Sequence, residues 1–371
     1  MKKKYIILSI ITLVLLIAFV TSFNYFKTKN DYVEDNVNNQ TKIIKGISMN
    51  LEQTAGAGDY KTVTQSSWPT EGYKFNSELS RCENGSTLSW DDTKKAVIMQ
   101  GNVSDKCYVY FDKILTLAEY VISQYTGTQG DNALYYHNST LTNGAGDNSY
   151  RYAGASDSVN NYICLGSDAT TCPEANLFRI IGVFGDQTKV IRAKSVGDKQ
   201  WHTSPNNTWS SSSLNTYLNG EYLTSLGTIA EKIATTTWKV GGRSSTYLYD
   251  VPTTAYQYEV GSSASTTTYD AKIGLMYVSD YGFAADQSGW TTKLSSYSSN
   301  TSKNWLYLGS SEWTISRISD FATDAFSVFS AGSVGNLTVT ISYAARPSFN
   351  LESSVKYVSG SGSMSDPVRV N

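Results

Sequence analysis

The chain begins with a long apolar run that follows three lysines. Residues 5–23 carry no charge, and a helix of that length can cross a hydrocarbon core of about 30 Å. The lysines at positions 2–4 favour a cytoplasmic N-terminus and an exported body. Residues 1–30 are therefore predicted to be a signal anchor or a cleaved signal peptide. We favour the anchor, because the run is longer than a usual signal-peptide core and no Ala-x-Ala site follows it.

The next stretch alternates between polar segments and short apolar ones. Residues 31–45 are polar and are interpreted as a stalk, and residues 46–112 are interpreted as a small β domain. The predicted strands are 72–75, 87–90, 96–99 and 107–111, and the polar residues 91–94 indicate a turn between two of them.

A helical period then appears at residues 113–126. Apolar residues fall on one face of this segment, at Ile114, Leu117, Ala118, Val121, Ile122 and Tyr125. We favour a linker helix packed on a neighbouring domain. An amphipathic helix that binds a partner is the alternative.

Residues 127–371 are predicted to form one larger α+β domain. Segments 177–184 and 188–193 flank Gly185-Asp186-Gln187, which is typical of a β-hairpin. Residues 210–226 predict a helix with serine caps, and residues 228–235 predict a second, shorter one. Further short strands are predicted at 273–279, 305–308, 326–330, 337–342, 348–351 and 368–370. Segments 241–270 and 284–303 are predicted to be long loops.

Composition agrees with strands joined by polar loops and argues against a nucleic-acid partner. Aromatic residues make up 13% of the chain, and charged residues only 17%, against about 25% in an average domain. All five charged residues before position 31 are lysines, so 25 of the 30 basic and all 32 acidic side chains lie in residues 31–371. Such a mildly acidic body lacks the basic face that phosphates require.

The four cysteines all follow the apolar run and predict two disulfides. The economical pairing is Cys82–Cys107 and Cys164–Cys172, because crossed pairs would tie separate domains together. Export would place these thiols where disulfides persist. A zinc site is disfavoured, since the cysteines are not closely paired and the chain has only two histidines.

The sequence lacks the motifs of known catalytic sites. It contains no H-E-x-x-H, no G-x-S-x-G and no phosphate-binding loop. The S-x-x-K match at Ser353–Lys356 is interpreted as a chance occurrence in a serine-rich chain. We expect no enzyme activity, no cofactor and no bound metal. An acid beside His202 or Arg317 would instead favour an extracellular enzyme.

Aromatic residues in loop-rich segments suggest ligand binding. Trp and Tyr stack on the apolar faces of sugars, and Tyr, Ser, Gly and Asn are common in adaptable recognition loops. The candidate ligand-binding residues are Trp201, Trp209, Tyr256, Tyr258, Tyr281 and Trp290. The alternative is that these rings are core residues.

Three segments of the larger domain carry a family resemblance. Residues 178–183 (FRIIGV), 213–223 (SLNTYLNGEYL) and 345–351 (ARPSFNL) are similar to the opening strand, helix and closing strand of bacterial surface domains with a C-type-lectin-like fold. These domains are related in architecture to the formylglycine-generating enzyme and to retroelement-diversified variable proteins. The resemblance implies neighbouring domain ends and a loop face for recognition, with Arg179 and Arg346 in structural roles.

The chain also departs from these relatives. No cysteine follows Cys172, so the oxidative activity of the enzyme branch is not expected. The Glu-Pro-Asn or Gln-Pro-Asp motif of calcium-dependent lectins is also missing, which puts sugar binding through calcium in doubt.

Together these observations predict an α+β protein with an N-terminal transmembrane helix, a small disulfide-stapled β domain and a C-type-lectin-like domain. We expect a bacterial surface protein that contacts the membrane through residues 5–23, with its body outside, or is secreted if the segment is cleaved. Its ligand would be a glycan or a protein. The alternatives are a structural component of the cell envelope and an unrecognised extracellular enzyme.

Overall fold

The computed structural model describes residues 46–64, 67–69, 71–102, 104–246 and 250–371. They form two compact units, one ending at Ile114 and the other spanning Leu115–Asn371. Helices hold 20% of the residues and strands 33%, which confirms the α+β class. The predicted membrane segment and the stalk lie outside the described residues. Within the described ranges, no helix has the length and apolar character needed to cross a bilayer.

The smaller unit is a β structure built around one alternating strand. Its strands are β1 (Ile47–Glu52), β2 (Tyr60–Val63), β3 (Tyr73–Phe75), β4 (Arg81–Cys82), β5 (Thr87–Asp91), β6 (Ala96–Gln100) and β7 (Cys107–Lys113). The main sheet has the order β2-β1-β7-β3, β4 also pairs with β7, and β5 and β6 form a separate hairpin. In β7, Cys107, Val109 and Phe111 are buried, and the residues between them are less so, as a period of two requires.

The larger unit begins with a short capped helix. This helix, α1 (Leu117–Ser123), was predicted within 113–126, and it buries Leu117, Ala118 and Val121. Its N-terminus is fixed by Thr116, whose hydroxyl accepts a hydrogen bond from the Glu119 amide.

Short strands and helices follow in chain order through the rest of the larger unit. The strands are β8 (Leu134–Tyr136), β9 (Tyr150–Tyr152), β10 (Tyr162–Cys164), β11 (Leu177–Phe184), β12 (Gln187–Arg192), β13 (Asp198–Gln200), β14 (Thr236–Lys239), β15 (Thr268–Ala271), β16 (Ile273–Gly274), β17 (Glu312–Arg317), β18 (Asp324–Val328), β19 (Val334–Thr338), β20 (Ser342–Ala344), β21 (Ser348–Leu351), β22 (Tyr357–Ser359) and β23 (Val368–Val370). The α-helices are α2 (Ser213–Tyr217), α3 (Leu223–Ser225), α4 (Pro252–Glu259) and α5 (Val278–Phe283). A π-helical turn, Leu218–Tyr222, joins α2 to α3, and 3-10 segments cover Asp131–Ala133, Glu174–Asn176, Trp209–Ser211, Gly227–Lys232, Gln287–Gly289 and Leu294–Lys303.

Two sheets organise these strands around a common apolar core. The larger sheet has the order β16-β21-β12-β11-β10-β23-β22, and β9 adds to β11 with β8 beyond it. The second sheet has the order β13-β20-β17-β18-β19, and β14 pairs with β15 alone. The two ends of the unit lie together, because β10 pairs in parallel with β23 and the Tyr357 amide donates to the Leu115 carbonyl.

Several predicted elements are confirmed and others are corrected. The hairpin of β11 and β12, the strands at 348–351 and 368–370, and the helix predicted at 210–226 are present, the last as α2, the π-helical turn and α3. The predicted strand 273–279 is wrong beyond Gly274, because the Asp280 carboxylate accepts a hydrogen bond from the Tyr277 amide and α5 starts there. The strand predicted at 305–308 is a turn, held by the Asn304 side chain.

The two predicted long loops also contain regular structure. Segment 241–270 holds α4 and most of β15, and segment 284–303 holds two 3-10 segments. These elements were not predicted, because neither segment shows a clear apolar period among its many Ser, Thr and Tyr residues.

Candidate functional site

A cavity of about 250 Å³ opens in the larger unit and contains buried charges. Its floor is formed by Arg151, Lys189 and Asp280, and its walls are aromatic. The wall residues are Phe184, Trp238, Tyr256 and Tyr277. We call this site the charged cavity. Concave sites with aromatic walls and a few convergent polar groups are the usual form of a ligand pocket.

One cross-strand row of the larger sheet positions three cavity side chains. Gly182 of β11 lies opposite Arg151 of β9 on one side and opposite Lys189 of β12 on the other. Lys189 in turn lies opposite Asn350 of β21. Residues directly opposite each other project on the same face of a sheet, so Arg151, Lys189 and Asn350 share the cavity face.

Gly182 is essential to this arrangement. A Cβ atom at this position would lie 2.1 Å from the Tyr150 carbonyl oxygen, so any larger residue would displace β9 from β11. The register between β11 and β12 also shifts between Ile180 and Gly182, where β9 joins the sheet. The glycine therefore allows β9 to bring Arg151 close to Lys189.

The floor charges form a buried network. The Lys189 ammonium donates to Asp280 Oδ2 at 2.6 Å, and Arg151 Nη1 lies 3.6 Å from Asp280 Oδ1. Arg151 is only 2% exposed, Lys189 5% and Asp280 3%. Burial lowers the pKa of the Lys189 ammonium, and the Asp280 carboxylate opposes this effect. Charges this deeply buried are rare unless they are paired or used for function.

A local motif of alternating residues holds Arg151. Asp147 Oδ2 accepts a hydrogen bond from Arg151 Nη2 at 2.6 Å, and Asp147 Oδ1 accepts one from the Ser149 hydroxyl. The Ser149 hydroxyl oxygen in turn accepts from Arg151 Nε at 2.8 Å. Although burial raises the pKa of the Asp147 carboxyl, Arg151 and the Ser149 hydrogen bonds bring it down to about 2.

The aromatic walls face these cations. The guanidinium carbon of Arg151 lies 4.6 Å from the ring centre of Phe184 and 5.3 Å from that of Tyr256. The Lys189 ammonium lies 4.7 Å from the ring centre of Tyr277. These distances allow cation–π attraction, which is strongest where the cation is desolvated. Burial and the Asp147 charge raise the pKa of Tyr256 to about 12, so its hydroxyl is neutral at pH 7.

Asp280 and Ser279 come from the first turn of α5. Asp280 Oδ2 accepts from both Lys189 and the Tyr277 amide, so the residue that starts the helix also pairs with the floor lysine. The Ser279 amide donates to Glu259 Oε2 at 2.9 Å. Ser279 borders the cavity, and its hydroxyl, by contrast, is buried and has no hydrogen-bond partner.

Asn350 gives a second unsatisfied group at the same site. Its side-chain nitrogen donates to the Thr236 hydroxyl at 3.0 Å, whereas its Oδ1 atom has no partner. Buried polar atoms without partners are uncommon in native proteins and need an explanation.

His137 lies near the same network but makes no contact with the cavity. Its Nδ1 atom accepts a hydrogen bond from the Ala145 amide at 3.0 Å, and its ring packs on Phe283 and Trp290. Burial, reinforced by the Arg151 charge, holds the pKa of His137 well below its ordinary value of 6.5. The imidazole is therefore neutral at pH 7.

The structure corrects most of the predicted ligand-binding residues. Trp201, Trp209, Tyr281 and Trp290 are each at most 1% exposed and lie in the core, so their rings present no face to a ligand. Large rings in loop-rich sequence fill the interior here because the sheets are short and bury little by themselves. Tyr256 lines the charged cavity, and Tyr258 is half-buried on α4.

Two other sequence-based predictions concern the disulfides and the arginines Arg179 and Arg346. The pairings Cys82–Cys107 and Cys164–Cys172 are confirmed. Arg346 makes a bidentate ion pair with Glu312, and Arg179 donates to the Asn161 side chain and to the Val159 carbonyl. Both arginines are buried, and their partners belong to the protein.

The charged cavity itself was missed. Its floor combines residues from three distant segments, and only two local signals pointed to it. One is Lys189 within the apolar strand β12, and the other is the alternation of Asp147, Ser149 and Arg151. The single cluster of metal-ligating atoms in the described ranges is elsewhere, at Cys82, Asp105 and Cys107, where both sulfurs belong to a disulfide.

A second cavity, of about 620 Å³, lies elsewhere in the larger unit. Amides, hydroxyls and tyrosines line it, and Asp286 and Lys303 are its charged residues. We call it the polar cleft. None of the buried unpartnered side-chain atoms of the described residues belongs to its lining.

Comparison with known proteins gives one family match. A domain of unknown function, DUF6273, is found at residues 185–353. No curated protein and no solved structure matches the chain. Lys189, Trp238 and Asp280 lie within the matched segment, whereas Asp147 and Arg151 precede it. The charged cavity therefore combines residues of the DUF6273 segment with residues outside it.

Proposed function

We propose that the chain is an extracytoplasmic surface protein whose larger unit binds a small polar ligand in the charged cavity without chemical conversion. The observation that carries this proposal is a cavity with aromatic walls over the buried Lys189, whose ammonium uses one of its three hydrogen-bond donors. A purely structural network would be expected to satisfy its own polar atoms. A ligand would complete the hydrogen bonding here.

A C-type-lectin-like fold is part of the same proposal. Backbone hydrogen bonds from Tyr357 to Leu115 and from Leu117 to Val355 bring the two ends of the larger unit together, as that fold requires. The hairpin of β11 and β12 and the helix starting at Ser213 also occur in the expected order. Export is supported by two disulfides and by the lysine-flanked apolar run.

Binding is tested by blocking the cavity in the full-length chain. Thr237 is exposed on β14 and lines the cavity mouth, so Thr237→Trp should fill the opening. Thr268 is exposed on the paired strand β15 and does not line the cavity, so Thr268→Trp is the matched control. Glycan arrays and small-molecule thermal-shift panels should give ligands that bind the wild type and T268W but not T237W.

Two outcomes would contradict the proposal. Ligands that bind T237W as well as the wild type would place recognition elsewhere. The absence of any ligand would favour a structural role in the cell envelope.

Export is tested separately by labelling thiols on intact cells with a membrane-impermeant maleimide. Labelling should appear only after an impermeant reductant has been added. Four thiols that react only after lysis would contradict extracytoplasmic placement.

A further inference from the structure

We infer that the ligand of the charged cavity carries a carboxylate group, held by Lys189 and Arg151. This inference rests on the proposed function and names the chemistry of the ligand. It follows from the charge balance of the cavity, from the hydrogen-bonding capacity of its floor and from its size.

The cavity has an excess of positive charge. The cations that line it are Arg151, Lys189 and Lys239, and the acids are Asp147 and Asp280. Lys239 lies half-buried at the mouth and forms no ion pair within the described ranges. Glu259 does not change this balance, because its carboxylate pairs with Arg243 and accepts from the Ser279 amide and the Ser316 hydroxyl. An anion entering the cavity would bring the local charge to zero.

The floor also offers more hydrogen-bond donors than the protein uses. An ammonium has three N–H donors, and Lys189 makes one hydrogen bond, to Asp280. Arg151 Nη1 is 3.6 Å from Asp280 Oδ1, which is beyond hydrogen-bond distance. A carboxylate has only acceptors, on two oxygens, and matches this set.

The rest of the cavity limits the body of the ligand. A volume of about 250 Å³ holds a single ring or a short chain. The partly exposed ring of Tyr256 offers a face for stacking. A uronic acid or a hydroxy acid has this combination of groups.

The experiment compares ligands that differ only in charge. Full-length protein labelled with ¹⁵N at tryptophan is titrated with glucuronate and glucuronamide, lactate and lactamide, and benzoate and benzamide. Trp238 lines the cavity and its indole N–H donates to the Ala271 carbonyl, and the signal of this group is assigned by its loss in Trp238→Phe. We expect the acid of each binding pair to shift this signal with at least tenfold tighter affinity than its amide.

Three variants test which charged residues make the acids bind more tightly than the amides. Lys239→Met should weaken the acids several-fold and leave the amides unchanged. The double variant K189M/D280N removes the floor pair without changing net charge, and it should abolish the advantage of the acid. Lys303→Met removes one positive charge at the polar cleft and should change neither affinity. If the double variant fails to fold, K239M still tests whether positive charge at the cavity favours the acid over the amide, because Lys239 lies at the cavity mouth.

The outcomes separate this inference from the proposed function. If amides shift Trp238 as tightly as acids do, the carboxylate is overturned and ligand binding stands. An acid advantage that survives in K189M/D280N also overturns the assignment. If no compound of either charge shifts Trp238, the proposed function fails and the inference fails with it.

Discussion

The larger unit should be sensitive to the loss of one partner of the buried ion pair between Arg346 and Glu312. Arg346 Nε donates to Glu312 Oε1 at 2.6 Å and Nη2 donates to Oε2 at 2.8 Å, which is the bidentate geometry of a strong pair. Nη2 also donates to the Leu306 carbonyl at 2.6 Å. Arg346 is 3% exposed and Glu312 1%, so water cannot replace a lost partner. Arg346→Met should therefore leave an uncompensated buried carboxylate.

The expected cost follows from that loss. Breaking a buried pair by removing one partner costs about 3 to 5 kcal/mol of unfolding free energy. Removing both partners leaves no orphaned charge, so R346M/E312M should be more stable than R346M alone. In a unit of this size, each kcal/mol corresponds to roughly 2–4 °C in melting temperature. R346M should thus melt on the order of 10 °C lower than the wild type.

Urea unfolding followed by tryptophan fluorescence measures the two variants and E312M alone, and together they complete a double-mutant cycle. A loss below about 1 kcal/mol in R346M would refute the anchoring role. So would a double variant as unstable as R346M. Loss of ligand binding at unchanged stability would instead make Arg346 a recognition residue.

Three further predictions concern protonation and cross-linking. The pKa of Asp147 falls from its ordinary value of 3.8 to about 2 in the folded chain. The carboxylate should therefore stabilise the fold by about 2 kcal/mol above pH 4, and this stabilisation should be lost as the pH falls toward 2. D147N should lose this pH dependence in acid unfolding curves. His137 stays neutral when folded and takes up a proton when unfolded, so melting temperature should fall as the pH drops below 6.5 in the wild type but less so in H137N. The Cys82–Cys107 bridge spans 25 positions, and C82S/C107S should lower the stability of the smaller unit by about 3 kcal/mol, measured by limited proteolysis in urea.

The parts of the fold that the sequence predicts are those with local signals. Strand β7 alternates, and the β11–β12 hairpin has a glycine-containing turn, so both follow from neighbouring residues alone. The cysteine pairing follows from the position of two cysteines in each of the two predicted domains. None of these depends on distant contacts.

Elements fixed by distant contacts were missed. β14 depends on the Tyr277 hydroxyl, which donates to the Lys239 carbonyl and accepts from the Lys239 amide across 38 positions. The apolar run at 273–279 is buried throughout, so its burial gives no period that distinguishes strand from helix. The Asp280 side chain decides the matter by starting α5.

The charged cavity lies where local rules fail, and this is the reason to assign it a function. A lysine within an apolar strand and a glycine in the neighbouring strand are each unfavourable for a sheet. Here Gly182 lets β9 approach β11, which brings Arg151 beside Lys189. The glycine and the lysine therefore serve the same arrangement. A well-packed apolar row would be no less stable than a buried ion network. Because stability does not require the charges, recognition of a charged ligand is the better explanation for their presence.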